Sequence, residues 1–262
     1  MFRSPPWQAS TSTSTDLFRP VPAPPPGLFT MVELEVNSRC NLRCEYCPVS
    51  VAPPASMPRL MAQPVMDRVI AELARLGFAG RLSYHFYNEP LLHPNLDRLV
   101  DQVRRGVPGV RQVLYTNGEL LTDEKHRVLV EAGVERFIIT RHTGKPVPDR
   151  ERQTVLEPSE LVLTNRGGAM GPETRTLTLP CHVPNTMLIV TVTGDVLLCY
   201  EDYHRTQPMG SILERPLDEI WFSERFVRLR SHLVRGDRTQ TEICRHCTNR
   251  AHLTPEPFDY VL

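Results

Sequence analysis

The sequence has no run of 18 or more consecutive apolar residues, so no segment reads as a membrane-spanning helix. It has no surplus of either charge: Lys plus Arg and Asp plus Glu each number 30, and the pI is near 7.1. That balance argues against a partner such as a nucleic-acid backbone or an anionic membrane face. The N-terminus lacks the basic-then-apolar order of a secretory signal, so the expected location is the cytoplasm. An even set of cysteines is also missing. Seven thiols cannot all pair internally, and in a reducing compartment such thiols are more often metal or cluster ligands than disulfides.

What is present divides into an arm and a body. Residues 1–30 hold seven Pro and eight Ser or Thr, with too few large apolar residues to offset the entropy of ordering, so they read as a disordered arm. Beyond it the 262-residue chain is long enough for one large domain or a domain with an appendage. Apolar strands alternate with amphipathic helices: strands at 32–36, 81–87, 112–116 and 136–140, with a weaker one at 161–163, and helices around Val65 to Leu76, Leu96 to Val103 and 123–132. This order predicts parallel βα units over residues 31–169. Gly167, Gly168, Gly171 and Pro172 then break the pattern. A hairpin (187–192 and 196–199) and helices at 217–222 and 224–234 follow, so a small second domain is expected over residues 170–262.

Cys40, Cys44 and Cys47 form CxxxCxxC on the loop directly after the first strand. Three thiolates can hold three irons of a cubane cluster and leave the fourth open to a small molecule bearing an amine and a carboxylate. A zinc site completed by a residue such as His85 uses the same cysteines. The remaining four, Cys181, Cys199, Cys244 and Cys247, can saturate a second cluster or hold zinc. His85 sits among aromatics on an alternating strand and reads as a satisfied core histidine. His142 follows a strand end and has no assigned role.

The three-cysteine motif, with aromatic Tyr46 before its last Cys, resembles that of the radical S-adenosylmethionine (SAM) superfamily. The segment from Gly194 and Asp195 through Cys199 to Cys244-Arg-His-Cys247 resembles the twitch domain of that superfamily. Long further stretches, including 33–47, 78–92, 115–118, 163–168, 190–202 and 259–262, resemble its alcohol dehydrogenases of aminoglycoside antibiotic biosynthesis. The resemblance implies an α/β fold: an incomplete (βα) barrel with a small C-terminal twitch domain. It implies two 4Fe-4S clusters, one on Cys40, Cys44 and Cys47 and an auxiliary one on the other four cysteines, with SAM bound near Tyr46, Glu89 and Asn117. Asn88 stands where the superfamily usually has glycine.

The activity it implies is oxidation of a secondary alcohol of an aminocyclitol, 2-deoxy-scyllo-inosamine to 3-amino-2,3-dideoxy-scyllo-inosose. A 5′-deoxyadenosyl radical would remove hydrogen, and the auxiliary cluster would accept an electron. Substrate contacts carried over by resemblance fall on Tyr87, Tyr115, Arg166, Tyr200 and Glu201, with Arg166 easing loss of the hydroxyl proton. An electron donor such as flavodoxin or ferredoxin is the implied partner, and neither nucleic acid nor membrane is. The alternatives are oxidation of another amino sugar or of a ribosomally made peptide, an epimerase, or a zinc scaffold. If both clusters are filled, no cysteine remains to return a hydrogen atom, which disfavours the epimerase.

Overall fold

The computed structural model describes residues 27–52 and 57–250. Most of the expected arm and the 259–262 stretch lie outside the described residues. Where the arm is described it is docked. Leu28 is 6 % exposed and Phe29 is fully buried against Phe78 and Trp221. Two large apolar side chains at the mouth of the first strand have a core to enter, so the structured body begins before residue 31.

Eight strands form one open sheet: β1 (Met31–Leu34), β2 (Arg81–Ser83), β3 (Arg111–Thr116), β4 (Val134–Thr140), β5 (Gln153–Leu156), β6 (Met187–Val190), β7 (Asp195–Leu197) and β8 (Pro208–Ser211). The order is β5-β4-β3-β2-β1-β6-β7-β8. Strands β5 through β6 in that order run parallel, and β7 and β8 add an antiparallel meander. The helices α1 (Gln63–Arg75), α2 (Leu96–Gly106) and α3 (Asp123–Ala132) join β1 to β2, β2 to β3 and β3 to β4, the connections that parallel neighbours require. Four helices follow: α4 (Val183–Thr186), α5 (Leu217–Trp221), α6 (Glu224–Val234) and α7 (Glu242–His246).

The fold is therefore an incomplete α/β barrel, with a correction to its fifth strand. Residues 161–163 are not a strand; β5 lies earlier, at Gln153–Leu156. Its Gln153, Thr154 and Val155 pair with Phe137, Ile138 and Ile139 at the sheet edge. An edge strand buries little, so it carries a weak apolar signal. The 187–199 hairpin forms as expected, but β6 pairs in parallel with β1, so the sheet runs unbroken from residues before 170 to residues after it.

Period-2 alternation sorts the side chains of the central strands. Val32, Leu34, Leu82, Leu114, Ile139, Leu188 and Val190 join the large core beneath the helices. On the opposite face Met31, Met187, Ile189 and Leu197 gather with Phe86 in a small second cluster. Glu33 alternates with Val32 and Leu34 and so belongs to that inner face, where a charged side chain stands among apolar ones.

Leu34 is fully buried on β1, whereas Val155 on the edge strand is 38 % exposed. Leu34→Ala is expected to cost about 2–5 kcal/mol and Val155→Ala less than about 1 kcal/mol in equilibrium denaturation. Equal losses at both sites would contradict this placement of the core.

Candidate active site between two cysteine-lined cavities

The C-terminal ends of β1 to β4 surround a cavity of about 360 Å³, the place where barrel folds carry their sites. Cys40, Cys44 and Cys47 line it from the loop after β1, Tyr87 and Glu89 from beyond β2, and Thr116 and Asn117 from the end of β3. His142 follows β4, and Arg166 lies beyond β5. A second cavity of about 20 Å³ is lined by Cys181, Cys199, Cys244 and Cys247 together. The two expected groups of cysteines are thus brought together in space as two separate sets.

The three-cysteine loop is held by its neighbours. Asn37 donates through Nδ2 to the Glu89 carbonyl at 2.9 Å, and the Glu89 N–H donates to the Arg39 carbonyl at 2.8 Å. The thiols are only half-buried and face the cavity. Beside them the Glu89 carboxylate, 1 % exposed, accepts from Leu91 N (3.0 Å), Thr116 Oγ1 (2.7 Å) and Asn117 N (2.8 Å). Burial raises its pKa above the usual carboxylate range, and these donors offset only part of that. Three donors leave room for a fourth on a group with about four acceptor positions. Asn117 Nδ2 donates to Asn41 Oδ1 at 2.9 Å and reaches toward Cys40 Sγ, while the Tyr46 hydroxyl is hydrogen-bonded to His142 Nδ1. Asn88 folds back on its own turn, accepting from Phe86 N and donating to the Tyr84 carbonyl.

Across the cavity stand the residues expected to meet a substrate. Arg166 has φ 51°, a left-handed conformation that a non-glycine residue adopts at a cost. Gly167 follows at φ 59°, and a Cβ there would sit 2.9 Å from the Glu201 carbonyl oxygen, so this loop packs too closely for any side chain. The Arg166 guanidinium lies 5.9 Å from the centre of the Tyr87 ring, and its buried Nε has no hydrogen-bond partner. Burial works against its charge, but Tyr87, Glu201 and Tyr200 outweigh that and hold its pKa above the usual value. The Tyr87 hydroxyl donates to the Tyr200 carbonyl at 2.8 Å, and the Tyr115 hydroxyl accepts from Arg81 Nη1 at 3.0 Å.

Glu201 does not line the larger cavity. It faces the four-cysteine cavity, and its oxygens lie within 3.0 Å of Thr164 Oγ1 and 2.8 Å of Asn249 Nδ2. Asn249 Nδ2 also lies 2.7 Å from the Tyr200 hydroxyl, so this group forms the wall between the cavities. His85 is corrected from a satisfied core residue. It lines the larger cavity, its Nδ1 is buried without a partner, and its Nε2 stands 3.6 Å from Glu33. Burial and Arg81 push its pKa down to about 3. Glu33 and Arg81 also line the cavity and were missed by sequence reasoning. The available signal was a charged residue on the inner face of a strand buried on both sides.

The four-cysteine set fits an iron–sulfur cluster. Burial raises all four thiols, Cys199 far above its usual value, Cys244 to about 11 and Cys247 to about 12, so a bound metal is needed to hold them as thiolates. Arg238 lines the same cavity at 2 % exposure. Among the described residues it donates to the carbonyls of Leu179, Asn249 and Pro180 and to no carboxylate, which suits a cation placed beside an anionic group. Among the described residues, no three His, Cys, Asp or Glu side chains converge closely enough for a single metal ion.

The Radical SAM superfamily model matches residues 34–160, and that of the SPASM iron-sulfur cluster-binding domain matches residues 181–248. The chain belongs to the radical SAM superfamily, and its fold and cysteines suit a SAM-dependent oxidoreductase with two 4Fe-4S clusters. It is 39 % identical over 249 residues to the S-adenosyl-L-methionine-dependent 2-deoxy-scyllo-inosamine dehydrogenase of Niallia circulans, covering 90 % of this chain and 99 % of that one. It superposes on the crystal structure of BtrN in complex with AdoMet and 2-DOIA with TM-score 0.83, at 38 % identity and covering 90 % of this chain and 99 % of that one. For BtrN in an open conformation the TM-score is 0.73, at 37 % identity and covering 89 % and 99 %.

Cys199→Ala is expected to remove roughly half of the iron of the reconstituted protein while leaving SAM cleavage, and Cys40→Ala to remove the other half together with cleavage. Arg238→Gln should make the second cluster harder to reduce, because a buried positive charge favours the more negative redox state. A potentiometric titration followed by electron paramagnetic resonance would read that shift, and an unchanged potential would contradict the role of Arg238.

Proposed function

We propose that this chain is a radical SAM dehydrogenase that oxidises a secondary alcohol of an aminocyclitol, 2-deoxy-scyllo-inosamine to 3-amino-2,3-dideoxy-scyllo-inosose, in aminoglycoside antibiotic biosynthesis. The observation that carries the reading is the pair of cavities, one lined by three half-buried thiols and the other by four, meeting at a shared wall. The identity to a dehydrogenase over nearly its whole length supports it.

Residues 31–169 would hold the SAM-side cluster on Cys40, Cys44 and Cys47, and residues 170–262 the auxiliary cluster on Cys181, Cys199, Cys244 and Cys247. When bound, SAM and the first cluster supply the radical that removes hydrogen from the carbinol carbon, and the second cluster supplies a one-electron sink. Glu89 offers its remaining acceptor position to the SAM ammonium, with Asn117 and Tyr46 bounding the same end.

Arg166 is a half-buried cation that lines the larger cavity, so its guanidinium can hold the carbinol oxygen and favour negative charge there. Tyr87 and Tyr115 present ring surface, and each hydroxyl is fixed by its existing partner. Tyr200 bounds the ring next to Cys199, and Glu201 acts through Asn249 to hold that wall in place. A flavodoxin or ferredoxin would deliver the reducing electron. Among the described residues no helix is long and apolar enough to cross a membrane, and the reading places the enzyme in the reducing cytoplasm.

Anaerobic incubation of the reconstituted protein with SAM, reductant and 2-deoxy-scyllo-inosamine should yield ketone and 5′-deoxyadenosine in equal amounts by mass spectrometry. Arg166→Met is expected to lower kcat/KM for ketone by about 10²-fold. Formation of 5′-deoxyadenosine without ketone would sink this substrate and outcome.

A further inference from the structure

Loss of the hydroxyl proton needs an acceptor, and most groups around the larger cavity are already engaged. The Glu89 carboxylate accepts from three donors at the SAM end, and Glu201 faces the other cavity with partners on both oxygens. The Tyr87 hydroxyl donates its proton to a carbonyl, the Tyr115 hydroxyl takes a hydrogen bond from Arg81, and His142 Nδ1 is bonded to Tyr46. His85 Nδ1 is enclosed.

Glu33 differs from all of these. It projects from the inner face of β1 into the cavity and is 6 % exposed. The nearest ionisable nitrogen is His85 Nε2, at 3.6 Å, beyond hydrogen-bond distance. From these positions we infer that Glu33 is the catalytic proton acceptor for the substrate hydroxyl, in the cavity that Arg166 also lines. This rests on the proposed activity and adds to it the group that takes the proton.

The step is a proton transfer. The carbinol O–H bond breaks, a carboxyl O–H bond forms on Glu33, and the electron pair stays on the substrate oxygen, where Arg166 stabilises it. The hydrogen atom and the electron leave through the bound cofactors and are not carried by Glu33. The groups around the carboxylate suit this task. Arg81 and His85 face it from β2 and its extension, Tyr115 from β3 and Arg166 from beyond β5, while Met187 and Ile189 on β6 bring no charge. Burial raises the Glu33 pKa to about 7, against the opposing pull of Arg81 and Arg166. A base with a pKa near the working pH combines a usable deprotonated fraction with enough basicity to take the proton. His85, which stays neutral, adds no charge and leaves that balance intact.

The test compares wild type, Glu33→Gln and Glu33→Asp. In wild type kcat/KM for ketone should rise with pH through about 7, because the acceptor must be deprotonated. Glu33→Gln should lose about 10²-fold in ketone formation and lose that limb, yet still bind SAM and form 5′-deoxyadenosine in excess over ketone. Glu33→Asp should run at least roughly 10-fold slower with the limb retained. Calorimetry of the oxidised, cluster-loaded protein with SAM and 2-deoxy-scyllo-inosamine, in buffers of different ionisation enthalpy near pH 7, needs no turnover. A hydroxyl donating to Glu33 favours its charged form, so wild type should release a fraction of a proton on binding and Glu33→Gln should release none.

Ketone formation by Glu33→Gln within about three-fold of wild type with the same limb, or identical proton release in both, would overturn the assignment. Should Glu33→Gln fail to fold, an unchanged rate in Glu33→Asp overturns it as well. A wild type that binds the aminocyclitol without oxidising it defeats the proposed activity alone, and the proton release still decides on Glu33.

Discussion

One buried carboxylate ties the cavity together. Glu89 receives hydrogen bonds from the backbone of its own turn and from Thr116 and Asn117 at the end of β3. Its main chain engages Asn37 and Arg39 at the start of the cysteine loop. A carboxylate taken out of water is costly unless it is hydrogen-bonded, so these contacts form together. They fix the ends of three strands relative to one another, and Cys40, Cys44 and Cys47 inherit their placement from that knot. The same residue has an acceptor position left, so the side chain that ties the scaffold together is also free to take the proposed SAM ammonium group.

The inner face of the sheet then sets the chemistry. Parallel strands buried on both sides are normally apolar throughout, and on the helix-facing side these strands obey that rule. On the other side Glu33, Arg81, His85, Tyr87 and Tyr115 replace it with ionisable and aromatic groups around the cavity. Desolvation moves their pKa values in opposite directions by group type, raising Glu33 and Tyr115 and lowering His85. The floor therefore carries less negative charge than its formal count suggests, with the Arg166 guanidinium facing the Tyr87 ring.

The sequence made the strand–helix alternation legible because α1, α2 and α3 each carry a clear apolar stripe, and α3 runs over the expected 123–132. Both cysteine sets were legible as well, since spacing on one loop and a count of four are properties of the chain itself. β5 was hidden because an edge strand needs little apolar surface, and Leu161 to Leu163 mimicked it in a stretch that lines the cavity instead. The position of Glu201 on the far side of the wall depends on the left-handed turn at Arg166 and Gly167, which local pattern does not encode. His85 looked like core because its neighbours are aromatic, but alternation puts it on the face opposite Tyr84, which is fully buried under the helices.

The wall between the cavities is also their connection. The Tyr87 ring faces the larger cavity, and its hydroxyl donates to the carbonyl of Tyr200, the residue bonded to Cys199. One hydrogen bond and a few covalent bonds thus separate a side chain proposed to touch the substrate from a sulfur proposed to hold the auxiliary cluster. Thr164, Glu201 and Asn249 brace this link from the side, and Asn249 also accepts Arg238 through its carbonyl. A wall built this way keeps the two thiol sets apart as chemical centres. At the same time Asn249 lines both cavities and so keeps them adjacent, which suits the proposed reaction that removes hydrogen at one cavity and an electron at the other.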